Sequence, residues 1–200
     1  MDPDAYLCQL AEIFNGISVN TPSLSAIIAI ILAGLLLLAS GFASASEIAF
    51  FSLSPSDLND IEEGNHPSDG KISNLLADSE RLLATILITN NFVNVTIIML
   101  CNFFFMNVFV FHSPLAEFLI LTVILTFLLL LFGEIMPKIY SAQKTLAFCR
   151  FSAPVIYVLR KVFAPISAVL VHSTAFLNKH FAKKNHNISV DELSHALSLI

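Results

Sequence analysis

The chemistry this sequence carries inside its apolar runs is all oxygen. "ASGFASASEIAF" places Ser40, Ser44 and Glu47 at i, i+4 and i+7, one face of a helix. "ITNNFVNVTIIMLCN" sets Asn90 and Asn94 one turn apart. Asn91 lies about 100° round the helix from Asn90, and Asn102 about two turns beyond Asn94. "LLLLFGEIMPKIYSAQ" brings a carboxylate, Glu134, to the end of an apolar run and follows it with Pro137 and Lys138. Pro137 has no N–H, so the carbonyl four residues back, at Gly133, loses its helical donor. Gly133 has no side chain to keep another group away from that carbonyl. Hydroxyls, amides, a carboxylate and a backbone carbonyl suit Mg²⁺, Ca²⁺ or Mn²⁺ rather than zinc or copper. Each group also has a plainer reading. Serines and asparagines hold membrane helices together, Glu47 marks an interface, and Glu134 pairs with Lys138 one turn on.

Elements that could position these groups are written in the composition. Of 200 residues, 56% are hydrophobic and 12% charged, and the mean hydropathy is +0.79. Residues 26–53, 82–111 and 115–133 are each long enough to approach or exceed the ~20 apolar residues that cross a bilayer. Lys and Arg are absent from the first 70 residues and from Leu82 to Pro137. Basic residues collect on the cytoplasmic side, so the N-terminus and the turn at "FHSP" are expected outside, and the 54–81 loop and the tail inside. A fourth apolar run, 148–177, carries Arg160 and Lys161 near its middle, with Pro154 and Pro165. It reads as one or two amphipathic interfacial helices; as a fourth span it would export the basic cluster at Lys179, Lys183 and Lys184.

The acidic N-terminus "MDPDAYLCQLAEIF" lacks the basic start of a secretory signal, so the first span is expected to stay as an anchor. In the inner loop, Ser54-Pro55 reads as a helix start that Gly64, Asn65 and Pro67 end. Ser68-Asp69 could cap a second helix running to Arg81, and the acidic residues here read as a solvated face. Cys8, Cys101 and Cys149 are scattered and imply no disulfide framework. His66, His112, His172, His180, His186 and His195 read as solvated or interfacial. No nucleophile–base pair, phosphate loop or hydrolytic metal cluster is evident, so no enzyme and no nucleic-acid partner are expected. The fold class is an all-α membrane protein: three transmembrane helices, short cytoplasmic helices and an amphipathic juxtamembrane helix.

"SGFASASEIAFFSLSP", "LATILITNNFVNVTI" and "LLFGEIMPKIYSAQ" resemble, in order, the three signature stretches of the CorC/CNNM magnesium transporters. The resemblance implies a homodimer in the bacterial inner membrane that exports Mg²⁺. Its ion site would be lined by Ser40, Ser44, Asn90, Asn94 and Glu134 beside the Gly133-to-Pro137 break, with Glu47 and Asn91 as less direct members. It divides the chain into an extracytoplasmic segment (1–23), a transmembrane domain with its juxtamembrane helix (24–177) and a linker (178–200). In that family a pair of ATP-binding CBS modules follows, and "NISVDELSHALSLI" resembles the lead into it. The chain is therefore expected to be a truncated piece, with ATP binding confined to the absent modules. "ISVDELSHAL" and the acidic N-terminus also resemble the gliding-motility-associated branch. There, a non-transporting accessory or scaffold serving gliding or secretion machinery is the alternative.

Overall fold

A computed structural model describes residues 18–110 and 114–171. Three helices are long and apolar enough to cross a membrane: Leu24–Phe51, Ser79–Val108 and Glu117–Gln143. We label the elements β1 (Ser18–Val19), α1 (Leu24–Phe51), α2 (Pro55–Glu62), α3 (Asp69–Leu76), α4 (Ser79–Val108), β2 (Phe109–Val110), α5 (Pro114–Leu128), α6 (Met136–Gln143) and α7 (Thr145–Val162). A π-helical segment, Leu129–Ile135, joins α5 to α6 within the third span. A short helix, α8 (Ala164–Val171), follows α7 after an 80° bend. The expected extracytoplasmic segment up to residue 17, the turn at His112, Cys8, the four tail histidines and the 178–200 linker lie outside the described residues.

At one end, a two-residue antiparallel ribbon pairs Ser18 with Val110 and Val19 with Phe109. The Ser23 side chain caps α1 by accepting the Ala26 N–H at 3.3 Å, while its own N–H donates to Asn107 Oδ1 at 3.2 Å. The start of the first span and the finish of the second are thus tied together. Between them, Ala33, Val93, Ile97, Cys101 and Leu125 make a narrow apolar core. Isoleucine, leucine and phenylalanine side chains such as Ile31, Leu35, Phe92 and Phe127 are exposed, as a lipid-facing surface requires.

The opposite, charged end is built by α2, α3 and α7. Ser54 and Asp57 form a reciprocal capping box at the start of α2, and Gly64, at φ +69°, turns the chain out of it. Helix α3 stops at Leu76 rather than running on to Arg81. Asp78 starts the second span afresh, its carboxylate accepting the Arg81 N–H at 3.2 Å. Nor is the acidic face wholly solvated. Asp69 is 1% exposed; it accepts from Arg150 Nε at 2.8 Å and Nη2 at 3.1 Å, and from the His66 N–H at 2.9 Å.

One face of α7 buries Cys149, Ala153 and Ile156 against Phe50, Ile72, Leu75 and Leu82. Burial pushes the Cys149 thiol up to about 12, which leaves it unreactive. Arg160 donates to the Asn74 carbonyl and side chain. As far as residue 171, the run that begins at 148 folds as two helices, with Pro154 carried inside α7 and Pro165 just past the bend.

The Arg150 guanidinium holds the Asp69 carboxyl below its usual range, and the Ser54 backbone N–H does the same for Asp57. A carboxyl lowered on folding contributes stability above its unfolded value of about 3.9 and loses it as pH falls through the folded value. Acid weakening of this end is therefore expected only below about pH 4. Asp69→Ala, which leaves Arg150 unmatched, should cost about 2–3 kcal/mol in thermal unfolding of the detergent-solubilised chain at neutral pH. The deficit should shrink in acid.

Candidate cation site

Ser40 is fully buried where α1 packs on α4. Its Oγ lies 2.8 Å from Asn90 Oδ1 and 2.6 Å from Asn94 Oδ1. The one-turn spacing of the asparagines on α4 aims both amides at a single point on α1. A hydroxyl has one hydrogen to donate, so two amide oxygens share one proton. Three oxygens at contact distance with one proton between them form a site short of positive charge.

One turn along α1 toward the charged end, Ser44 Oγ is the one buried side-chain polar atom among the described residues with no hydrogen-bond partner. Its neighbours show that partners are normally found. Ser46 donates to the Phe42 carbonyl at 2.7 Å, and Thr85 and Thr89 donate to carbonyls four residues back at 2.8 Å. A buried hydroxyl left unpaired costs about 1–3 kcal/mol, and a cation or its water would remove that cost.

The third span meets α1 at the same level. Pro137 predicts a broken helix; instead the helix widens and continues. The Met136 N–H bonds the Leu131 carbonyl, five residues back. Five residues back from Pro137, which has no N–H to give, stands Phe132 in place of Gly133. The wider turn also relieves the clash between the proline ring and the carbonyl four back.

Two glycines make the approach possible. A Cβ on Gly133 would lie 3.2 Å from Ser40 Oγ. A Cβ on Gly41 would lie 2.9 Å from Pro137 Cγ and 3.2 Å from the Phe132 carbonyl oxygen. Gly41 is legible in the sequence as one of the small residues, with Ala43 and Ala45, that let helices pack closely around the serines; Phe132 carries no such signal.

The structure thus joins Ser40, Asn90, Asn94 and Gly133, with Ser44 one turn away. Glu134, next to Gly133, is half-buried and makes no hydrogen bond or ion pair among the described residues. Lys138, which could have neutralised it, pairs with Glu47 instead, at 3.1 Å. Glu47 therefore links the first and third spans. Asn91 is apart from the cluster: it is exposed and donates to the Leu87 carbonyl on its own helix at 2.9 Å. Among the described residues no three His, Cys, Asp or Glu side chains gather as a metal cluster, so any cation held here would rest mainly on uncharged oxygens.

Residues 30–199 match the family model described as the cyclin M transmembrane N-terminal domain, CNNM. Over 130 residues the chain is 32% identical to a "UPF0053 protein" of Haemophilus influenzae, a match covering 65% of this chain and 30% of that protein. The matched region is thus under a third of the relative's length.

Proposed function

This chain belongs to the CNNM transmembrane-domain family, and on that premise we propose that it carries Mg²⁺ outward across the bacterial inner membrane. The observation that bears most weight is the pair of amide oxygens converging on Ser40 Oγ, with unpartnered Ser44 one turn away. In this reading the charged end faces the cytoplasm, in keeping with its basic residues, and two copies of the chain work together.

Each residue has a task. Glu134, unpaired among the described residues, attracts the ion from the charged end. Asn90 and Asn94 replace waters with amide oxygens. Ser40 turns its hydrogen away and offers a lone pair, and Ser44 gains the partner it lacks. A single carboxylate neutralises half of the ion's charge. Affinity in such sites rises with the count of charged ligands, so binding is weak enough to permit release.

The test is Mg²⁺ binding to the purified chain in detergent by calorimetry, wild type against Glu134→Ala, with helicity checked by circular dichroism. Saturable binding that the variant loses while still folded is the expected result. A folded wild-type chain that binds no Mg²⁺ would refute transport and favour an accessory membrane scaffold.

A further inference from the structure

Two ion pairs join distant segments of the chain at its charged end, and they are built differently. Arg150 grips Asp69 with two N–H groups, and that carboxylate is 1% exposed. Lys138 Nζ reaches Glu47 Oε2 by one contact of 3.1 Å, and about a third of each side chain is open. A guanidinium fork fixes geometry, whereas an ammonium is a point charge on a flexible stem. A pair so exposed also holds weakly. The Arg150 pair is a fixed joint; the Lys138 pair can let go.

Its place in the molecule matters as much. Glu47 lies on the face of α1 that carries Ser40 and Ser44, about 10 Å from Ser40 along the axis. Between them is Ser44, fully buried and without a hydrogen-bond partner. On the third span Lys138 stands one turn past Glu134, which makes no ion pair among the described residues. The Lys138–Glu47 pair therefore lies on the charged-end side of the oxygen cluster. An unpartnered hydroxyl and an unpaired carboxylate stand behind it.

We propose that Lys138 is a tethered cation that closes the charged-end mouth of the route, and that an entering divalent cation must displace it from Glu47. The proposal rests on the transport reading above and makes Lys138 a specificity-determining residue. Glu47 and Glu134 carry two negative charges, of which one ammonium balances one. A divalent cation matches both carboxylates. A monovalent cation brings no more charge than the ammonium it would replace, and the ammonium is held in place at high effective concentration. Ser44 receives the ion once Lys138 has swung out.

The first experiment follows Lys138 itself. The purified chain in detergent is treated with water-soluble sulfo-N-hydroxysuccinimide acetate, and acetylation of each lysine is read by mass spectrometry. Mg²⁺ should speed acetylation of Lys138 several-fold, because the displaced ammonium enters water. Lys144, exposed at the end of α6, should not respond. If calorimetry shows Mg²⁺ bound but Lys138 labels no faster, the pair is a helix staple; the proposal is overturned and the transport reading stands. A chain that binds no Mg²⁺ sinks both.

Calorimetry on folded variants then separates a blocking cation from a distant charge. Lys138→Gln should bind Mg²⁺ several-fold more tightly. Glu47→Gln should bind it several-fold more weakly, because Lys138 then turns to Glu134. In the double variant that penalty should shrink, since no ammonium remains to compete; strictly additive effects would overturn the proposal. Replacing choline by K⁺ at constant ionic strength should weaken Mg²⁺ binding in Lys138→Gln and leave the wild type unchanged. Equal sensitivity in the two chains would deny Lys138 its part in selectivity.

Discussion

Asn94→Leu is expected to abolish Mg²⁺ flux in reconstituted vesicles while leaving the helical fold in place. Leucine has nearly the shape of asparagine but no oxygen. The substitution removes the closer of the two amide oxygens on Ser40, at 2.6 Å, and returns that hydroxyl to an ordinary single bond with Asn90. Residues that merely orient metal ligands cost 10–100-fold in affinity when removed, so loss of a direct ligand should cost more than about 100-fold. Stability should change little, because an apolar residue in an apolar span leaves no new polar group unpaired. Asn91→Leu is the matched control. It removes a side chain that bonds its own helix at Leu87, and flux should survive. If Asn94→Leu transports normally, the convergence on Ser40 is helix packing and the ion passes elsewhere.

The second large effect is structural. Gly41→Val should detach the third span from the first, because its Cβ alone would come within 2.9 Å of Pro137 Cγ and 3.2 Å of the Phe132 carbonyl oxygen. Proline and backbone cannot swing aside as a flexible side chain can. Overpacking at such a contact costs about 1–3 kcal/mol or more, a large share of the 5–15 kcal/mol that holds a typical domain together. Gly34, on the same helix, has nothing within 4 Å of the equivalent position. Gly34→Val should therefore be close to neutral, and Gly34→Ala slightly stabilising, by up to about 1 kcal/mol. Thermal unfolding in detergent separates these outcomes. Equal melting of the Gly41 and Gly34 variants would show that the two helices do not meet at Gly41.

What could be read in advance follows the range of the interaction. The three spans, the Ser54-Pro55 helix start and the asparagine pair are local patterns, and the sequence displays them directly. Asp69 looked like one more acid on a wet loop because its partner, Arg150, lies 81 residues away. Lys138 had two carboxylates in reach. Glu134 was the neighbour along the helix, yet Glu47 on the first span holds it, which no helical spacing could reveal. The register of the third span was hidden for a different reason. Proline announces that an ordinary helix cannot continue unchanged, but whether the chain breaks or widens depends on what packs against it. Here the answer lies with Gly41.

The widened turn also has a rotational consequence. Leu121, Leu125, Leu129, Gly133 and Pro137 recur every fourth residue. On a regular α-helix that spacing drifts about 40° per step, so Pro137 would stand about 160° around the axis from Leu121. One extra residue in a turn winds back about 100° of that drift. The same stripe can therefore bury Leu121 and Leu125 near one end of the span and still bring Gly133 to Ser40 and Pro137 to Gly41 near the other. The π-helical segment acts as a phase corrector, and without it the third span could seal the outer core or complete the cation site, but not both.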